Sequence, residues 1–178
     1  MLFPGFHEWA TSGIALQIAG SQVRLRPASD TDRDFLRQVY ARSRDEELAA
    51  VPWPGDEKER FLTAQFLAQD RYYHEQYPGA EYWIVLADDQ PAGRLYLHDR
   101  EKELRIMDIT LMPPWRRQGI GRFLLRSLLQ DARETQRQAT IHVELFNPAR
   151  CLYEQLGFRV VAEHGLYLFM AWTPQSNG

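Results

Sequence analysis

The sequence predicts an α/β fold, a mixed central sheet of about six to seven strands flanked by helices in the order βααβββαβαββ. Three observations carry that expectation. An apolar run, Leu104 to Leu111, leads into the glycine-punctuated junction Arg116-Arg117-Gln118-Gly119-Ile120-Gly121, which opens an amphipathic segment from Ile120 to about Thr135. Two strand-like runs, Tyr82 to Ala87 and Gly93 to His98, flank the turn-forming Asp88-Asp89-Gln90-Pro91. A second strand-helix-strand passage follows from Ala139 to Ala162, with Gly157 placed where a helix stops.

The elements follow in order. Residues 1–22 are moderately apolar and read as an N-terminal arm that packs on the domain or on a neighbouring subunit. They lack a basic start and a convincing cleavage site, so a signal peptide is not expected. Val23 to Pro27 alternates apolar residues with arginine, a half-buried strand. From Asp30 or Thr31 an amphipathic helix places Phe35, Leu36 and Val39 on one side. Pro52 and Pro54 interrupt it, and a second helix runs from about Glu57 to Tyr73. The hairpin and the Leu104–Leu111 strand come next, then a helix with Phe123, Leu124, Leu128 and Ala132 at helical spacing. Ala139 to Leu145 is strand-like. Asn147 fits an N-cap, Pro148 the first helical position, and Leu152 and Leu156 share a face. Phe158 to Ala162 and Gly165 to Trp172 close the sheet. Residues 23–173 are thus expected to form one domain, with 174–178 a short tail.

Composition agrees. A chain of 178 residues buries a sizeable core as one domain, and 44% apolar with 25% charged residues is ordinary for a globular protein. A net charge of −3 argues against general nucleic-acid binding. No apolar run approaches membrane-spanning length. The single cysteine, Cys151, leaves no intrachain disulfide and fits a reducing, cytoplasmic compartment. His7, His142 and His164 are scattered without ligand spacing, so no metal is expected.

The junction carries the chemistry. Glycines between a strand and a helix let backbone N–H groups approach a ligand, and the helix N-terminus adds partial positive charge. That is a cradle for a phosphate or pyrophosphate, with Arg116, Arg117 and Arg122 around it. A Walker A loop is excluded, because its Lys and Ser/Thr are missing. The dinucleotide fingerprint fails at its third glycine, where Leu124 stands.

What remains, R-x-x-G-x-G between strand and helix, resembles the acyl-CoA pyrophosphate loop of the GNAT superfamily of N-acetyltransferases. The stretch Asn147-Pro148-Ala149-Arg150-Cys151-Leu152-Tyr153-Glu154-Gln155-Leu156-Gly157-Phe158 resembles the N-x-A-x-x-L-Y-E-x-x-G-F block downstream of that loop. Many members carry one more residue between this Asn and Tyr. The resemblance spans roughly Val23 to Thr173 and implies a GNAT-like sheet with acetyl-CoA as co-substrate and no metal. It places the backbone N–H groups of Gln118, Gly119, Ile120, Gly121 and Arg122, supported by Arg116 and Arg117, on the pyrophosphate. Leu111 and Met112 are expected to pair with the pantetheine arm, and Asn147 to contact it. Tyr153 is expected near the thioester sulfur, as general acid to the departing thiolate.

The general base is open: Glu144 first, then Asp108, with His98 and a water chain behind them. Tyr72, Tyr73, His74 and Tyr77 form an aromatic cluster that either borders the acceptor or packs a helix end. Trp53 either lines the same cleft or anchors a loop. No Cys/His pair argues for an acyl-enzyme, so direct attack in a ternary complex is expected. The acceptor is expected to be a primary amine on a small molecule, with a protein N-terminus or lysine as an alternative. A non-catalytic CoA-binding sensor is the rival from another class, and use of a longer acyl group a third reading. A homodimer stays open.

Overall fold

The computed structural model describes residues 5–174; residues 1–4 of the arm and 175–178 of the tail lie outside the described residues. The sheet has eight strands, more than the six or seven expected: β1 (Leu16–Ile18), β2 (Ser21–Pro27), β3 (Glu81–Ala87), β4 (Gln90–Asp99), β5 (Glu103–Leu111), β6 (Gln138–Glu144), β7 (Arg159–His164) and β8 (Tyr167–Trp172). Their spatial order is β1-β2-β3-β4-β5-β6-β8-β7. Only β5 and β6 pair in parallel. The unanticipated strand is β1, three residues long and therefore too short to show alternation. The chain turns back through Ala19 and Gly20, both at positive φ, and pairs Leu16–Ile18 with Ser21–Val23.

Helices cover both faces. On one lie α1 (Phe6–Ser12), α5 (Ile120–Glu134) and α6 (Arg150–Gln155); on the other, α2 (Arg33–Ser43) and α4 (Glu57–Gln76), with the short α3 (Asp45–Leu48) between them in sequence. The continuous apolar run of β3 follows from this arrangement. Trp83, Val85 and Ala87 join the core under α1 and α5, while Ile84 and Leu86 join the core under α2 and α4. Asp88 and Asp89 both adopt positive φ at the β3–β4 corner, the geometry a two-residue hairpin turn requires. Helix α6 ends as its sequence suggests. Gly157 takes φ +99, Phe158 N–H donates to the Tyr153 carbonyl at 3.0 Å, and Gly157 N–H to that of Glu154 at 3.0 Å.

The described part of the arm belongs to the main core. Phe6 and Trp9 are buried, and their rings meet Trp83 and Phe123 edge-on. Asp131, near the C-terminal end of α5, accepts the N–H groups of Phe6 and His7 at 2.7 and 3.0 Å and so caps α1. The His7 ring bridges Asp131 at 2.7 Å and Glu81 at 3.1 Å, with Asp99 at 3.6 Å. Hydrogen bonds to Asp131 and then Glu81 raise the His7 pKa to about 10, outweighing partial burial. A folded pKa above the unfolded value of about 6.5 contributes stability that is complete below that value. It is lost as pH rises through the folded pKa. The melting temperature should therefore decline between neutral pH and about pH 10, and His7→Gln should flatten that decline in a thermal-melt series. An unaltered slope in the variant would place the pH sensitivity elsewhere.

Candidate active site

The site grows from one irregularity in the sheet. β5 and β6 pair from Glu103↔Gln138 only as far as Ile106↔Ile141, yet both strands continue, to Leu111 and Glu144. Met107 is an extra residue on β5, since Leu97 pairs with Ile106 and Tyr96 with Asp108. The bulge bends β5 away from β6 where parallel pairing stops. The result is a fork, open towards the C-terminal ends of both strands, with backbone groups of β5 left for another chain or a ligand arm. Met112 N–H donates to the Ala92 carbonyl at 2.8 Å, so by alternation Ile109 and Leu111 are the residues whose backbone faces the opening.

At the same end, α5 begins. Gly119 is its N-cap at φ +81, a conformation that L side chains rarely adopt, and no side chain caps the helix. Phe123 N–H makes the first intrahelical bond, to Gly119 O at 2.9 Å, which leaves the N–H groups of Gly119, Ile120, Gly121 and Arg122 without intrahelical partners. The arginines divide their work. Arg116 Nε donates to the Leu111 carbonyl at 2.7 Å and its Nη2 reaches Arg42 O at 3.4 Å, which ties the loop to β5 and α2. Arg122 Nη2 donates to Gln155 Oε1 at 2.5 Å and ties α5 to α6. Gln118 bonds the Pro114 carbonyl. Arg117, exposed at φ +60, has no hydrogen bond among the described residues and is the cation best free to meet an anion.

Tyr153 on α6 is 4% exposed, and its ring packs edge-on to Phe158. Its hydroxyl has no hydrogen bond among the described residues. Burial pushes the phenol well above its usual pKa, and the Asp108 carboxylate adds to the shift. Asn147 lies before α6. Its Oδ1 accepts Ala149 N–H at 2.9 Å, and regular helix begins only at Arg150, two residues later than the sequence suggests.

The expected bases both sit in ion pairs. Asp108 takes a two-point contact from Arg94 at 2.8 and 3.2 Å and a hydrogen bond from Thr110 at 2.8 Å. Arg94 is 1% exposed and also donates to Gln69, while its Nη1 finds no partner among the described residues. Burial works against the Arg94 charge, but Asp108 holds it firmly protonated. Glu144 accepts from Arg44 at 2.7 Å, and Arg44 also bonds Glu47 at 2.8 Å. His98 is buried with both ring nitrogens engaged, by Pro78 O at 3.1 Å and Arg100 Nε at 3.0 Å.

Beside the fork lies a cavity of about 220 Å³ lined by Tyr72, Tyr73, Tyr77, Arg105, Met107 and His142. Tyr73 reaches the Met107 carbonyl at a long 3.5 Å. Trp53 packs on Phe61, 5.2 Å between centroids, and is not among the cavity residues. In the sequence His142 is one of three scattered histidines without ligand spacing, and no catalytic role was expected of it. Period-two alternation along β6 was the available signal, since it sets His142 on the face opposite buried Ile141 and Val143.

A model of the acetyltransferase (GNAT) family matches residues 42–158, which include the fork, the α5 cradle and Tyr153. The chain belongs to this family. A putative [ribosomal protein bS18]-alanine N-acetyltransferase of Bacillus subtilis is 30% identical over 95 residues, covering 51% of this chain and 63% of that protein. The match thus spans less than two thirds of that relative. Among solved structures, PaiA N-acetyltransferase from Thermoplasma acidophilum in complex with coenzyme A has a TM-score of 0.65 at 17% identity, over 85% of this GNAT chain and 98% of that one. Arabidopsis thaliana Naa50 in complex with the bisubstrate analogue CoA-Ac-MVNAL has a TM-score of 0.57 at 16% identity, over 85% and 98%. At those identities the likeness is one of fold. No helix among the described residues is long and apolar enough to cross a membrane.

Proposed function

We propose that this GNAT protein transfers an acetyl group from acetyl-CoA to a primary amine by direct attack. The observation that carries the reading is that the β5–β6 fork opens beside an uncapped α5 N-terminus headed by a glycine at φ +81. The residues fit the co-substrate. Unpartnered N–H groups of 119–122 suit a pyrophosphate, with Arg117 as free cation, and the backbone of Ile109 and Leu111 suits the amide groups of a pantetheine arm. Arg116, Gln118 and Arg122 hold the loop and its neighbours in place, and Met112 sets its register against Ala92. When bound, acetyl-CoA supplies an activated thioester. A backbone N–H on the open edge of β5 polarises its carbonyl in the manner of an oxyanion hole. Tyr153 keeps its phenolic proton through the working pH range and gives it to the leaving thiolate.

The aromatic cavity beside the fork supports a small amine as acceptor. A peptide N-terminus is the second reading, favoured by the likeness to the Bacillus subtilis protein described as a putative [ribosomal protein bS18]-alanine N-acetyltransferase. Calorimetric titration with acetyl-CoA, desulfo-CoA and ADP tests the cofactor. Binding of both CoA forms with weak binding of ADP is expected, and no binding by any of the three would withdraw the enzyme assignment. Thiol release with spermidine, an alanine-initiated peptide and a lysine-containing peptide with a blocked N-terminus then separates the acceptor classes. CoA binding without any turnover would favour the sensor reading.

Gly119 gives an independent check of the cradle. A β-branched residue at φ +81 is a backbone outlier, so Gly119→Val forces the loop to move and misaims the N–H groups behind it. CoA affinity should fall at least about tenfold, ~1.4 kcal/mol. Gly119→Asn, which tolerates the left-handed region, should lose much less. Equal losses for the two variants would mean that backbone conformation is not the cause.

A further inference from the structure

The geometry points to His142 as the general base that takes the proton from the acceptor amine. The inference rests on the acetyl-transfer reading and adds a residue to it. Ile106 and Ile141 are the last paired residues of β5 and β6. The next residues, Met107 and His142, therefore stand on either side of the crotch of the fork, and both line the 220 Å³ cavity. An acyl group held along the open edge of β5 has that cavity on its free side. An amine entering past Tyr72 and Tyr73 meets the imidazole at the point of attack. His142 makes no hydrogen bond among the described residues. Its one ring neighbour among the described residues is Phe169, 4.8 Å away and tilted by 32°, a ring contact that leaves both imidazole nitrogens unengaged.

The other candidates are occupied. Asp108 is clamped by a buried arginine, Glu144 is bound to Arg44, and His98 uses both nitrogens. Of the four, only His142 lines the cavity and has no hydrogen-bond or ion-pair partner among the described residues. Its electrostatic setting suits the task. Partial burial, then the Arg105 cation on β5 and His164 on β7, push its pKa below 6.5, against a smaller opposing pull from Glu103. The α4 side presents the phenols of Tyr72, Tyr73 and Tyr77, and Tyr73 is held protonated by burial and then by Asp108. The imidazole is consequently neutral at neutral pH, the form that accepts a proton.

The protons balance. An ammonium group gives one proton to His142, directly or through one water, and its nitrogen bonds to the acetyl carbon as the C–S bond breaks. Tyr153 gives its proton to the thiolate and recovers the second nitrogen proton. The His142 imidazolium then releases the first to solvent. The sum is acetylamide, free thiol and one proton.

His142→Gln tests the assignment, with thiol release from acetyl-CoA followed for the best of the three acceptors. Where none turns over, release to water serves as the reaction. Wild-type kcat/KM should rise with pH through a midpoint below the ordinary histidine value. The variant should lose that limb, fall roughly 10²-fold at neutral pH, and recover at alkaline pH as the amine deprotonates in solution. Its affinity for desulfo-CoA should stay within about twofold of wild type, which separates a proton-transfer defect from a folding or cradle defect. A second readout needs no turnover. The His142 ring resonances, assigned by their absence in the variant, should titrate below the ordinary histidine range and shift when desulfo-CoA is added. A rate profile identical to wild type overturns the proposal, as does loss of the limb in Glu144→Gln instead, or a His142 resonance insensitive to desulfo-CoA. A wild-type protein that binds CoA but releases no thiol to any acceptor or to water overturns the acetyl-transfer reading itself, and this inference with it.

Discussion

Tyr153→Phe should lower kcat by roughly 10²–10⁴-fold while leaving CoA affinity within about twofold. The Tyr153 side chain is buried, its hydroxyl has no hydrogen-bond partner among the described residues, and burial with the Asp108 charge keeps it protonated. Under the proposed mechanism, removing its oxygen takes away the proton source and little else. The ring keeps its edge contact with Phe158 and its place in the main core. No protein group loses a hydrogen bond, so stability should change by less than about 1 kcal/mol. Steady-state kinetics with calorimetric CoA titration checks both halves. A kcat within threefold of wild type would make Tyr153 a packing residue, and a parallel loss of CoA affinity would place its role in binding.

Arg94→Ala should destabilise the fold by about 3–5 kcal/mol, a large share of the stability of a domain this size. Arg94 is almost fully buried between β4 and α4, pairs with Asp108, bonds Gln69 and lies over the Tyr96 ring with its Cζ 5.0 Å from the centroid. Deleting it leaves the Asp108 carboxylate without its countercharge, 13% exposed, among phenols whose pKa burial has already pushed up, Tyr73 and Tyr96 (the latter to about 12). The cost comes chiefly from that stranded charge rather than from loss of an intrinsically strong bond. The double variant Arg94→Met with Asp108→Leu should therefore recover much of the loss, because a buried ion pair and an apolar pair of similar volume are often close in stability. Urea unfolding of the three proteins measures this. If the double variant is no more stable than Arg94→Ala, the ion pair itself contributes and the argument from desolvation fails. Should the double variant fold well yet turn over poorly, Asp108 also acts on Tyr153 through its charge.

Most of the fold was legible because its long elements repeat a period. The helix from Ile120 shows its buried stripe at helical spacing, and the hairpin around Asp88-Asp89 declares itself by turn chemistry. Short elements escaped: β1 has three residues and α3 four, fewer than any periodic pattern needs. The family was legible for a different reason. Gly119 must adopt a left-handed conformation ahead of a helix, and Gly157 must end another, so both are required by local backbone geometry that a sequence can display.

The catalytic details divide along the same line. The strand-to-helix glycine junction, the α6 stop and the order of the long elements can be read along the chain, because each depends on neighbours within a few residues. Tertiary structure decided which side chains are free to act. In the sequence Asp108 and Glu144 are candidate bases, Asp108 as a mid-strand carboxylate in need of a partner or a task; Arg94, 14 residues away, and Arg44, 100 residues away, are the partners that close on them. His142 reads as one scattered histidine until the parting of β5 and β6 sets it at the crotch of a fork. Whether a titratable group carries a charge, holds a proton or can move one depends on burial and on partners brought from distant parts of the chain, and folding alone supplies those partners.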